Sequence, residues 1–225
     1  EHAQKITEAG KGEFYGYTLQ GPVGFSVGGI FRVAVYLKQA NAEMCKEDCT
    51  LPYFNNPNAE QVHTFLRAIN KFTPPGLTFN PDEGQVYSQL FKGISAYQMC
   101  GSWHVQWAKD SGLQNAMYSS IPIPKGGKKA SIVVGNVING VLTASKHVPE
   151  SIGLLKVFTE DVCQDLVNST YGRLPSTKTA LNKLQPKVDL ATQAFIGDIL
   201  TADLGVLPQW RKTPNVLWQV YNDFL

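Results

Sequence analysis

Histidine and cysteine are scarce in this chain, four of each among 225 residues, and neither is arranged for chemistry. His2, His63, His104 and His147 are scattered, with none at ligand spacing from another or from a cysteine. Cys45 and Cys49 enclose three residues, the wrong gap for a C-x-x-C redox pair, and a zinc site there would need two more ligands. No metal and no cofactor is therefore expected. In an exported protein the same two cysteines suit a disulfide closing a short loop, whereas a reducing compartment leaves them as thiols.

An excess of one charge is also missing. The 20 basic and 18 acidic residues leave a net charge of +2. No Lys/Arg cluster interleaves with aromatics, so no nucleic-acid partner is expected. The densest basic run, Lys125-Gly126-Gly127-Lys128-Lys129, reads as a solvated hairpin or loop rather than a phosphate site. No apolar run is long enough to span a membrane. The chain lacks a dinucleotide-binding glycine fingerprint, a phosphate-loop lysine, a G-x-S-x-G elbow and an H-E-x-x-H pair. Acid pairs such as Glu160-Asp161 lie on a polar helix face and need no function. A hydrolase is left without support, and the abundance of Trp, Tyr, Gly and Asn favours a binding protein over an enzyme.

What remains is a core-forming composition, 43% hydrophobic and 17% charged. Residues 1–10 read as a helix stopped by Gly10, polar and with nothing ahead of it to pack on. Residues 12–19 alternate aromatic and small residues, as a strand does. The stretch 30–40 is ambiguous in period and is read as a helix. Asn56 and its neighbours open a helix whose Val62, Phe65, Leu66 and Ile69 share one apolar face. A short helix carries Val86, Leu90 and Phe91 and stops at Gly93. A strand over 94–100 follows, with Cys100 expected to be buried in it, and then a helix capped by Ser102. Residues 117–124 read as a strand, and 125–144 as a turn with an apolar strand pair. Residues 148–172 form one amphipathic helical region. Shorter helical stretches follow, one running to Asp203 and the last over 213–225. Short strands alternating with helices, then helices in the last third, give an α/β domain with an added helical part.

Trp103 stands directly after Gly101-Ser102, at the head of a helix. A flat ring there is either packed beneath the sheet or set at the lip of a cleft. Trp107 lies one turn on and is read first as core.

Four segments in order carry a resemblance: 55–72, then 79–110, then 119–158, then YGRLPSTKTAL at 171–181. Within the second, Phe91, Gly93, Ala96, Gly101, Ser102 and Trp103 fall in a helix–strand–turn pattern. Together these resemble the extracellular solute-binding proteins of sugar ABC importers, the maltose-binding-protein-like family. The resemblance implies a type II periplasmic-binding-protein-like α/β fold, here the second lobe with a helical C-terminal part. It implies no enzymatic activity, a sugar or oligosaccharide ligand, ABC transporter permease partners and an exported, periplasmic or cell-surface location. By it, residues 1–12 are a remnant helix of the first lobe and 13–134 the second α/β lobe. Residues 135–186 are crossover and helices that pack on the first lobe, and 187–225 return to the second. The apolar residues Ile152, Leu155, Phe158 and Val162 would then lack their usual partner surface.

The same resemblance implies that Trp103 stacks on a pyranose, with Gly101 and Ser102 beside it. Gln20 matches a family acid, and Phe25 replaces a tyrosine missing after Pro22, which puts maltose itself in doubt. Gly135 and Asn136 would face the cleft at a strand end. Arg173 either reaches the ligand or caps the preceding helix. Trp218 and Trp210 are further stacking or rim residues, or core. Other solutes of the same fold, such as glycerol 3-phosphate, a polyamine or iron, stand as the alternative.

Overall fold

A computed structural model describes residues 1–21, 28–42, 53–113, 116–119, 131–133, 139–201 and 203–205. The chain divides into two units, each with its own packing. The first comprises residues 1–99, 121–135 and 203–225, the second 100–120 and 136–202.

The first unit is built around two short parallel strands, β1 (Tyr15–Thr18) and β2 (Ser95–Gln98), paired Tyr15 with Ser95, Tyr17 with Tyr97 and Thr18 with Gln98. The other edge of β1 is held by the segment 72–78: Tyr17 N–H donates to Phe72 O (3.0 Å) and Gly21 N–H to Thr78 O (2.9 Å). The polar first helix packs on the strand that follows it. Helix α1 (His2–Gly10) lies on β1 at Gly16, where a Cβ would come 2.0 Å from the Ala3 carbonyl oxygen. Only glycine permits that approach. Thr7 closes the joint, its Oγ1 donating to Ala3 O (2.9 Å) and accepting from Gly16 N–H (2.8 Å).

On the face carrying Tyr17 and Leu19 pack α2 (Gly28–Gln39) and α3 (Pro57–Asn70). Leu19, Val33, Leu37, Ala59, Val62 and Leu66 form that core. Asn56 caps α3, accepting from Ala59 N–H at 3.0 Å, with Pro57 in the first turn. Phe65, expected on the buried face, is 45% exposed, because its ring leans across Tyr36 at 5.2 Å instead of entering the core. Helix α4 (Glu83–Phe91) is capped by Asp82 and buries Val86 and Tyr87. Arg32 of α2 reaches it, pairing with Glu83 (3.3 Å) and Tyr87 Oη and donating from Nε to Met99 O (3.2 Å).

The structure departs from the expectations for the later chain. Where an apolar strand pair was expected over 125–144, the described strand is β3 (Ser131–Val133). Its partner is β4 (Asp203–Gly205), parallel to it, and a parallel pair needs a long crossover. The helix expected to run to Asp203 ends at Thr201 and β4 begins there. Residues 116–119 are not strand.

The second unit is helical: α5 (Trp103–Asp110), α6 (Val148–Phe158), α7 (Asp161–Tyr171), α8 (Lys178–Leu184) and α9 (Leu190–Thr201). The single helical region expected over 148–172 is broken at Glu160, whose backbone is extended. Leu181, Leu184 and Ile196 make a small core under α8 and α9. Ion pairs Lys183–Asp161 and Lys109–Asp189 tie α8 to α7 and α5 to the start of α9. No residue of α6 or α7 is buried. Ile152, Leu154, Val157 and Phe158 of α6 and Val162 and Leu166 of α7 are all exposed.

Candidate functional site

Alternation along β1 puts Gly16, Thr18 and Gln20 on the face opposite Tyr17 and Leu19. Gln20 lies two residues past the end of the strand and is 1% exposed, yet neither atom of its amide finds a hydrogen-bond partner among the described residues. Thr18 Oγ1 is in the same condition. Its register partner across the sheet is Gln98, which donates from Nε2 to Val86 O at a long 3.4 Å and leaves Oε1 unpartnered among the described residues. Three side chains thus collect unpaired donors and acceptors at the carboxyl ends of two parallel strands. Each such group costs roughly 1–3 kcal/mol to bury without a partner. In open α/β sheets ligands bind at these ends. Gln20 was expected from its place in the sequence. Thr18 and Gln98 were not, although a polar residue closing an otherwise apolar strand is a signal that could have found them.

The second unit holds the aromatic group. Trp103 begins α5 and is half-buried. Its benzo ring folds back over Gly101, where a Cβ would lie 2.1 Å from Cζ3 and 2.2 Å from Cη2. Ser102 is not the expected cap. Its backbone is already helical (φ −57°, ψ −32°) and its side chain makes no capping bond. The first amides turn back instead, His104 N–H to Gly101 O (3.0 Å) and Val105 N–H to Ser102 O (3.2 Å). Arg173 does join Trp103: its guanidinium carbon lies 4.6 Å from the ring centroid. Gly172 places it there. With φ at 63° it ends α7, and it sits so close to α5 that a Cβ would come 2.9 Å from Gln106 Cβ. Asn168 Nδ2 then donates to Arg173 O at 3.0 Å. The structure therefore brings together Gly101, Ser102, Trp103 and Arg173, with Gln20 in the other unit.

Trp107 is 38% exposed rather than core. Cys100 lies past the end of β2 and is half-buried, not inside a strand. Behind Trp103, His104 is fully buried and its Nδ1 stands 3.4 Å from Tyr118 Oη. Burial pushes the Tyr118 hydroxyl up to about 12, helped by Cys100 and Asp189, so it stays protonated at neutral pH. Among the described residues no three His, Cys, Asp or Glu side chains are grouped to hold a metal. A hollow of about 350 Å³ on α6, lined by Leu142, Leu154, Leu155 and Phe158, belongs to the exposed apolar surface and contains none of the expected ligand residues. Phe25, Gly135, Asn136, Trp210, Trp218, Cys45 and Cys49 lie outside the described residues.

No protein-family model and no curated protein matches the sequence. Solved structures do match its fold. An ABC transporter solute-binding protein from Thermotoga lettingae, bound with alpha-D-tagatose, superposes over 99% of this chain and 56% of its own, with a TM-score of 0.78 and 16% identity. The maltose-maltodextrin binding protein of Alicyclobacillus acidocaldarius matches 98% of this chain and 58% of its own (TM-score 0.71, 12% identity). The maltose/maltodextrin-binding domain MalE from Bdellovibrio bacteriovorus, bound to maltotriose, matches all of this chain and 60% of its own (TM-score 0.66, 20% identity). The fold is that of the type II periplasmic binding proteins. This chain spans somewhat more than half the length of these structures.

Proposed function

We propose that the protein captures a sugar or oligosaccharide outside the cytoplasm and delivers it to the permease subunits of an ABC importer, without catalysis. The observation that carries this reading is the set of unpaired polar atoms on Thr18, Gln20 and Gln98. They are neutral, and they include both donors and acceptors. A sugar hydroxyl, itself donor and acceptor, suits each of them. The fold supports the reading, because its structural neighbours are binding proteins, two of them with a bound sugar. Trp103 adds, in its own unit, a flat surface of the kind that covers the apolar face of a pyranose. A periplasmic or cell-surface location belongs to the same proposal.

Calorimetric titration with tagatose, maltose and maltotriose, beside glycerol 3-phosphate, spermidine and ferric iron, tests it. At least one sugar should bind. Gln20→Leu should weaken that binding at least roughly tenfold, the loss of one buried hydrogen-bonding group. The same variant should be more stable than the parent by about 1–3 kcal/mol without ligand, since it removes a buried amide that has no partner. Binding of a non-sugar solute alone, or unchanged sugar affinity in Gln20→Leu, refutes the reading.

A further inference from the structure

Arg173 is exposed, Trp103 is half-buried, and the guanidinium lies 4.6 Å from the ring centroid. The guanidinium therefore covers one face of the indole. The benzo ring is folded against Gly101. The Arg173 backbone is fixed by the Gly172 turn and by Asn168, so the side chain is delivered to the ring rather than drifting over it. Its guanidinium has no ion pair among the described residues.

We propose that Arg173 is a specificity-determining cover on Trp103: the guanidinium holds the stacking face in the unliganded protein, and a neutral sugar ring must displace it to stack. This rests on the sugar-binding reading above. The two occupants compete because a planar cation and the C–H face of a pyranose use the same electron-rich surface. An exposed cation–π contact is modest, so the cover is removable, and it penalises every ligand that stacks weakly. Sugars with a broad apolar face pass, while small polyols with none are rejected.

Two measurements decide it. The first needs no ligand. In a protein whose only tryptophan is Trp103 (Trp107, Trp210 and Trp218 changed to Phe), acrylamide quenching of indole fluorescence should rise in Arg173→Ala and stay near the parent value in Arg173→Lys. The second is the affinity for maltotriose. Arg173→Ala should bind roughly two- to fivefold more tightly, the worth of an exposed cation–π contact. If Arg173 instead props the ring from behind, Arg173→Ala binds more weakly and the proposal is overturned. Unchanged quenching overturns it as well, even if maltotriose does not bind. Trp103→Ala separates the two readings. Loss of maltotriose binding in Trp103→Ala with no tightening in Arg173→Ala leaves sugar binding standing and removes only the cover.

Discussion

Single residues carry the most specific chemistry here, and burial decides what each does. His63 is 4% exposed on the packed face of α3, and desolvation, with Arg67 nearby, holds its imidazole below the ordinary value of about 6.5. The sign follows from where the proton goes. Above about pH 6.5 neither folded nor unfolded chain protonates this ring, and the full stability is present. As pH falls, the unfolded chain takes the proton first, so stability declines until the folded ring protonates too. Urea midpoints measured from pH 7.5 to 5 should therefore fall, and His63→Gln should flatten that part of the slope. An equal slope in the variant would place the titration elsewhere. His63 could be read from the sequence only as a histidine on a helix. That it faces the core at Val62 and Leu66 follows from the helical period, but the adjoining Phe65 broke the same rule by leaning on Tyr36.

Between elements, the joint of α1 and β1 is the tightest contact described. Gly16 meets the Ala3 backbone, not a side chain, so nothing there can rotate away. Gly16→Ala should lower the stability of the first unit by about 3 kcal/mol or more through overpacking, read as a shifted denaturant midpoint. Gly12→Ala makes the contrast. It has open space around it but a φ of 94°, so it should cost only about 1 kcal/mol. Equal effects would mean that α1 can slide off the strand. The sequence shows the helix, its stop at Gly10 and the strand here. It does not show that a polar nine-residue helix has a partner, because that partner is backbone exposed by the absence of a side chain.

At the scale of the molecule, the exposed apolar faces of α6 and α7 outweigh any other surface feature among the described residues. Ile152 and Phe158, picked out in the sequence as a face needing a partner, are 44% and 42% exposed, and Val162 is 78% exposed. Contiguous apolar surface of this kind drives association. The 225-residue chain should self-associate at micromolar concentration in sedimentation velocity, and Leu154→Glu with Phe158→Glu should return it to monomer. Neither side chain is buried, so the denaturant midpoint should hold within about 0.5 kcal/mol. A monodisperse parent would show that this face is covered within the chain.

By itself the sequence determined what depends on a few adjacent residues. The cap at Asn56, the stop of the first helix at Gly10 and the α/β order follow from local backbone preferences and side-chain period. So does the position of Trp103 at a strand-to-helix turn. Only the tertiary structure decided the pairings between distant segments. β3 found β4 near the far end of the chain, and Arg173 found Trp103 because Gly172 docks α7 on α5. Thr18, Gln20 and Gln98 gather their unpartnered polar atoms because two strands register their polar ends side by side. Such contacts depend on loop closure and on the space left between packed elements, and neither is written in any short stretch of residues.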